Sequence, residues 1–203
     1  MSEVNLIGIT KPSAYTDCTT ANELIAWTAR VSNPSNQNNT ESAPKLVQYL
    51  IKHQHWSPFE MVHIAMEIRT TRDIARQILR HRSFAFQEFS QRYADPTKDL
   101  QFITREARLQ DKKNRQASIE IEDKLLQEKW NVMQKEVTIA AERTYKWAIE
   151  HGIAKEQARA VLPEGNTESV IIMAGSLRSW VHYCTLRMQW DTQKEHRIVA
   201  EQC

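Results

Sequence analysis

The chain predicts an α+β fold: a small, mostly antiparallel sheet covered by long helices, in a single domain spanning residues 1–203. Three observations carry this. Residues 61–70 alternate, with Val62, Ile64, Met66 and Ile68 on one side and His63, Glu67 and Arg69 on the other, the two-residue period of a half-buried strand. Leu126, Trp130, Met133, Val137, Ala140, Ala141 and Tyr145 keep a spacing close to that of a long amphipathic helix. With 203 residues, 41% of them hydrophobic, and only four Gly and six Pro, the composition suits one globular domain with a sizeable core.

In chain order, residues 4–10 read as a first short strand. Thr20-Ala21-Asn22-Glu23 is a capping box, whose hydroxyl and carboxylate each satisfy a backbone N–H left unpaired at a helix start, and the helix it opens runs to about Val31. Residues 33–42 are polar and turn-rich and read as a loop. Residues 44–53 form a second helix with Leu46, Val47, Leu50 and Ile51 on one side. Pro58 then disfavours a helical Ser57. After the 61–70 strand, Thr71 caps a short helix, Asp73 suits its positive end, and Ile74 and Ile78 form an i, i+4 pair that docks it on the sheet. That leaves Gln77 in the last turn beside Arg80. A further strand is expected over 84–93, and residues 94–115 are a charged connection. The long helix stops at His151-Gly152, and its wide apolar face fits either the sheet or a partner subunit. Residues 154–162 make another helix, ended by Pro163-Glu164-Gly165. Residues 170–173 fit a strand or the first turns of a buried helix, because so few residues carry too little periodicity to decide. The last helix holds residues 176–187.

Lys plus Arg 27 against Asp plus Glu 25 leaves a net charge of +2, too small for a nucleic-acid-binding field over the whole surface, so any anion site has to be local. No apolar run approaches a membrane span, and Met1-Ser2-Glu3-Val4-Asn5 lacks the regions of a signal peptide, so a cytoplasmic location is expected. Cys18, Cys184 and Cys203 are odd in number without CxxC spacing, which speaks against a disulfide framework and fits a reducing compartment. His53, His55 and His63 read as surface or core-edge histidines. They leave a zinc site open, though no cysteine or HExxH pattern supports one, and no metal is expected.

The local anion site is residues 80–93. Arg80-His81-Arg82 is followed, after seven residues, by Ser90 and then Arg92. A guanidinium offers a planar fork that fits phosphate oxygens two at a time, and a hydroxyl adds a donor without charge. Two plainer readings compete. One is a solvated basic helix end, where cations are favoured without any ligand; it accounts for Arg80 but not for Ser90 or Arg92. The other is a nucleic-acid patch of Arg69, Arg72, Arg76, Arg80 and Arg82 with Phe84, Phe86 and Phe89, which predicts steep salt dependence and a colourless protein.

The arrangement Arg-His-Arg, seven residues, Ser, one residue, Arg resembles the signature of the flavin-dependent thymidylate synthases, with Glu88 and Tyr93 at positions that family also tends to fill. Four other stretches resemble it too: Ala29 to Ser32, His55-Trp56-Ser57-Pro58-Phe59-Glu60, the Glu-x-x-Arg-x-x-Leu-Pro element at Glu156 to Pro163, and Arg178 to Arg187. The likeness thus covers most of the chain. It implies reductive methylation of dUMP to dTMP, with 5,10-methylenetetrahydrofolate giving the carbon, NADPH the reducing equivalents and FAD carrying the hydride. It also implies a homotetramer with active sites between subunits, and no nucleic-acid or membrane partner. Nucleotide contacts are implied for Gln77, Ile78, Leu79, Arg80, Glu88, Phe89, Ser90, Gln91, Arg92, Arg159 and Arg187. Flavin contacts are implied for Ser32, His55, Ser57, Arg80, His81, Arg82, Glu88, Ser176, Leu177, Arg178 and His182, the last four aligned across a one-residue length difference after Pro163.

The pyrimidine C5 is a weak nucleophile, and a cysteine adding to C6 is one remedy, but no cysteine lies in a match to a nucleotide-binding element. Cys184, among Trp180, Val181 and Leu186, reads as core packing. Ser90 could in principle attack, yet a serine needs a positioned base, and the neighbouring arginines suit a phosphate better. Activation then falls to an arginine opposing negative charge that develops at the uracil N3 and carbonyl edge, a role the resemblance assigns to Arg187. The plainer role for Arg187 is a helix-end arginine paired with Glu195 or solvent. A different flavoprotein on the same scaffold is a third reading.

Overall fold

The computed structural model describes residues 2–203. Its first half holds β1 (Glu3–Ile9), α1 (Ala21–Ala29), α2 (Ala43–Lys52), β2 (His63–Thr71), α3 (Arg72–Ile78) and β3 (Ala85–Glu88). The second half holds α4 (Pro96–Asp99), β4 (Arg108–Gln110), β5 (Ser118–Glu120), α5 (Lys124–Glu150), α6 (Lys155–Ala158), β6 (Glu168–Ser176), α7 (Leu177–Arg187) and α8 (Lys194–Gln202).

The alternation at 61–70 becomes β2, one of the two inner strands of a four-stranded sheet ordered β1-β2-β6-β3, with every neighbour antiparallel. Residues 170–173, undecided by periodicity, lie within β6, the other inner strand, where Ser169, Ile171, Met173, Gly175 and Ser176 are buried. Met66, Ile68, Ile171 and Met173 pack with Ile74, Ala75 and Ile78 of α3, Trp180 and Tyr183 of α7, and Val199 and Ala200 of α8. A second cluster joins Ile25 of α1, Leu50 of α2, Phe59 and Val62.

Several sequence expectations change. The strand expected over 84–93 is only four residues long, because after Phe89 donates to the Val170 carbonyl the chain turns, with Tyr93 and Ala94 both donating to the Ser90 carbonyl. Ser176 is not a helix residue: it ends β6 and caps α7, its hydroxyl accepting from the Ser179 amide at 3.3 Å. Residues 94–115 are not unstructured throughout; they contain α4 and β4, which pairs with β5 as a small hairpin. Helix α8 was not foreseen. The helix over 154–162 is α6 followed by a 3-10 turn at Arg159–Val161.

Helix α5 carries the largest correction. Ala141 and Tyr145 of the expected stripe are buried, but Trp130, Met133 and Val137 stay 44, 44 and 53% exposed. The inward face at its first half instead uses Gln134 and Thr138. The Gln134 amide donates to the Arg105 carbonyl at 2.8 Å and accepts from the Arg105 amide at 2.9 Å, so a polar side chain is buried with its hydrogen bonds made. Apolar periodicity is blind to that arrangement.

Gly175 is required by close approach. A Cβ there would lie 2.5 Å from Phe84 Cδ1 and 2.9 Å from Cε1, and the Phe84 ring is held by Trp180 and Tyr183 at centroid distances of 4.9 and 6.0 Å. Gly175→Ala is expected to cost about 1–3 kcal/mol of stability by overpacking, read as a lower urea midpoint with an unchanged slope.

Candidate active site

Helix α3 docks on the sheet through Ile74 and Ile78 and releases the chain in a turn, with Arg80 donating to the Gln77 carbonyl and His81 to the Ile78 carbonyl. Arg80 and Arg82 are left exposed and His81 half-buried. Arg187, at the last turn of α7, donates from Nε to His81 Nε2 at 2.9 Å. An arginine is always a donor, so this nitrogen of His81 carries no proton and the ring is neutral. Burial first, then the positive charge of Arg187 and the neighbouring His182, push the His81 pKa down to about 4. With Nε committed, the two Nη nitrogens of Arg187 remain for a ligand. The expected alternative pairing of Arg187 with Glu195 is not made; Glu195 pairs with Arg108.

A second cationic group gathers where the chain turns after β3. Arg92 meets Glu156 at 3.2 Å, Arg159 donates from Nε to the Glu156 carbonyl at 3.3 Å, and Ser90 Oγ accepts from the Arg92 amide at 3.4 Å. Arg92, Arg159 and Ser90 thus come together from segments far apart in sequence. Glu88 faces inward, accepting from the Ser169 hydroxyl at 2.9 Å with Arg72 Nη1 at 3.6 Å. Ile78 is fully buried in the core and Leu79 half-buried, so the nucleotide contacts expected of them fall to backbone atoms. Phe89 is half-buried, and Gln91 is buried with its Nε2 unpaired.

On the other side of α7, Trp56, Glu60, Ser83, Arg178, Ser179 and His182 line a cavity of about 530 Å³. Arg178 donates to Glu60 at 2.9 Å. Hydrogen bonding from Ser176, outweighing partial burial, and then Arg178 hold the Glu60 carboxyl below its ordinary value. Leu177 is tied by its amide to the Val62 carbonyl at 2.7 Å. Ser57 sits exposed on a 3-10 turn, His55 is exposed with its ring against Tyr49, and Ser32 Oγ turns back to the Ala29 carbonyl. Among the described residues, Ser32 and His55 make no hydrogen bond to the 80–92 segment, and no group of three His, Cys, Asp or Glu has metal-binding spacing.

The chain matches the family described as Thymidylate synthase complementing protein over residues 14–203. It is 46% identical to a probable flavin-dependent thymidylate synthase of Paramecium bursaria Chlorella virus 1, across 98% of this chain and 90% of that one. It is likewise 46% identical to the flavin-dependent thymidylate synthase of Synechocystis sp., with the same coverage. The chain belongs to the flavin-dependent thymidylate synthase family. In fold it superposes on the UMP/dUMP methylase PolB of Streptomyces cacaoi, a structure bound with 5-Br dUMP, with a TM-score of 0.76, 24% identity and coverage of 100% of this chain and 87% of that one.

For a family named for its flavin, the donor set fits the group. Arg178, Ser83 and His182 border the 530 Å³ cavity and Trp56 supplies an apolar wall, which suits an aromatic ring system carrying phosphates. Sequence reasoning missed the residues behind this candidate site. Tyr183, fully buried, sets its ring edge against His81 at 4.9 Å, and His196, also fully buried, bonds Tyr183 at 3.1 Å and Gln77 at 3.3 Å. Glu60 lay inside a motif that was read, yet its pairing with Arg178 is long-range and has no local signal. A further cavity of about 600 Å³ lies between the β4–β5 hairpin, α5 and α8, and no expected site residue lines it.

Proposed function

We propose that the protein is a flavin-dependent thymidylate synthase that converts dUMP to dTMP, with 5,10-methylenetetrahydrofolate as carbon donor, NADPH as reductant and FAD as cofactor. The observation that carries this reading is the bond from Arg187 to His81, which joins the end of α7 to the Arg80-His81-Arg82 signature. FAD, when bound, supplies the hydride chemistry. This chain's residues bind, orient and polarise. Arg92, Ser90 and Arg159 take the nucleotide phosphate, with backbone groups around Ile78, Leu79, Phe89 and Gln91 and the side chains of Gln77 and Glu88 completing that side. Arg80, Arg82, Arg178, His182 and Ser57 take the flavin, with Ser32, His55, His81, Ser176 and Leu177 at its margins. Arg187 opposes the charge that develops on the uracil edge as C5 becomes nucleophilic. Burial pushes the Cys184 thiol up and Cys203 to about 12, which speaks against either as a thiolate nucleophile.

We further infer a homotetramer whose sites draw on more than one chain, in a single domain and a cytoplasmic setting. The exposed Val132, Ile139 and Trp147 of α5 support an apolar partner face, and no helix among the described residues is long and apolar enough to cross a membrane. The net charge of +2 gives no support to a nucleic-acid partner. The test is the purified protein loaded with FAD: its visible spectrum and dTMP formation from dUMP, methylene-folate and NADPH. A colourless protein that takes up no FAD, or no dTMP, sinks the reading.

Arg92→Ala is expected to weaken dUMP at least about tenfold, the worth of a lost charge-assisted hydrogen bond, and Ser90→Ala less, with FAD content unchanged in both. Titration of FAD-loaded variants with dUMP measures this. A fully inactive Ser90→Ala with normal dUMP affinity would instead make Ser90 a nucleophile.

A further inference from the structure

Behind Gln77 runs a line of hydrogen bonds that ends on a carboxylate. Gln77 Nε2 lies 2.7 Å from Gln193 Oε1, Gln193 Nε2 lies 3.0 Å from Glu195 Oε2, and Glu195 Oε1 accepts from Arg108. On the other side, Gln77 Oε1 lies 3.3 Å from His196 Nδ1, and His196 Nε2 lies 3.1 Å from the Tyr183 hydroxyl. An amide, an imidazole or the Tyr183 hydroxyl can face either way by itself, but the Arg108–Glu195 end of this line cannot. Arg108 only donates. Glu195 is kept ionised: burial works against its charge, but the bond from Arg108, then its own backbone amide and Gln193, hold it below its ordinary value. A carboxylate only accepts, so Gln193 must turn its NH2 to Glu195 and its oxygen to Gln77. Gln77 must then turn its NH2 to Gln193 and its oxygen to His196. His196 must carry its proton on Nδ1, which leaves Nε2 bare for the Tyr183 hydroxyl to donate to. Every link points the same way.

We propose that Glu195, anchored by Arg108, is a positioning residue that fixes the amide of Gln77 through Gln193, so that the second N–H of Gln77 is offered to the nucleotide as a donor. This rests on the reading that Gln77 contacts the nucleotide. The ligand groups this orientation selects are hydrogen-bond acceptors, a pyrimidine carbonyl or a phosphate oxygen. A reversed amide would present its carbonyl oxygen to them and leave two acceptors facing each other. His196 is the reporter of the orientation, because its tautomer is dictated by the same line.

Glu195→Gln tests this with little change of shape. Arg108 would hold the new carbonyl, the new NH2 would face Gln193, and each following link would have to reverse, leaving His196 protonated on Nε2 and donating to the Tyr183 oxygen. Nitrogen-15 NMR of the histidine side chains, on FAD-loaded enzyme without dUMP, reads the tautomer. The expected result is Nδ1–H in the native enzyme and Nε2–H in the variant, with the KM for dUMP raised about tenfold and FAD content unchanged. The double variant Gln193→Glu with Glu195→Gln moves the carboxylate one link along and should restore both the Nδ1–H tautomer and the native KM, a check that stands even if the single variant folds poorly. An unchanged tautomer in Glu195→Gln, or an Nε2–H tautomer in the double variant, overturns the proposal. A switched tautomer with an unchanged KM overturns it as well, and places the error in the contact between Gln77 and the nucleotide rather than in the hydrogen-bonded line.

Discussion

Arg187→Ala is expected to lower turnover by at least about a hundredfold while weakening dUMP far less, because in the proposed role the charge that the guanidinium opposes is fully developed only as the reaction proceeds. Its geometry makes the expectation specific. The Nε bond to His81 at 2.9 Å orients the fork and leaves both Nη nitrogens for the base edge. Arg187→Lys keeps the charge but loses the plane and the Nε bond, so it should retain part of what the alanine variant loses. Single-turnover flavin oxidation with dUMP and methylene-folate, measured beside dUMP affinity, separates the effects. The His81 pKa should also rise in the alanine variant, since a neighbouring positive charge that disfavours imidazolium has gone. Unchanged dTMP formation removes Arg187 from the mechanism, and a pure affinity loss leaves it as a binding group.

Acid is expected to destabilise the fold well above the range where ordinary carboxylates titrate. Burial first, then Arg187 and His81, depress the His196 pKa to about 3, and His81 is depressed to about 4, both from 6.5. Because the folded values lie below the unfolded one, the unfolded chain binds more protons below about pH 6.5. The stability held by the neutral rings is therefore present above that pH and is lost as pH falls from there toward the folded values. For the fully buried His196 the loss between pH 7.5 and 5.0 is about 2 kcal/mol; for the half-exposed His81 it is smaller, since solvent screens it. Urea midpoints at the two pH values measure this, with His196→Gln flattening the dependence. Equal stability at both, in the native protein, refutes it.

Much of the fold was legible wherever local chemistry and periodicity agree. The capping box at Thr20 and Glu23 is made in both directions, and the strand expected over 61–70 is β2. The cationic signature was legible because five positions of fixed type stand close together. What lay hidden follows from physics that a local pattern does not carry. Helix α8 buries His196, Val199 and Ala200, of which only one is a strong apolar signal. The first half of α5 is held inward by the hydrogen bonds of Gln134, not by its apolar stripe. The run at residues 170–173 shows no period in sequence because Val170 and Ile172 on the half-buried face are as apolar as Ile171 and Met173 on the buried one. The pairing of Glu60 with Arg178 and the line from Gln77 to Glu195 join residues that only the folded chain brings together.

The pairing of β2 with β6 ties the first half of the chain to residues far along it. It joins Ile68 to Ile171, and β3 hangs on the far side of β6 through Glu88 and Ile171. Closing so long a loop costs chain entropy that the strand contacts have to offset. The 80–92 segment is contiguous in sequence, yet Glu88 is held by Ser169 of β6, His81 by Arg187 of α7 and Arg92 by Glu156. A growing or partly folded chain therefore carries the whole cationic signature without a formed site. The proposed nucleotide site therefore needs the C-terminal third of the chain as well as that segment.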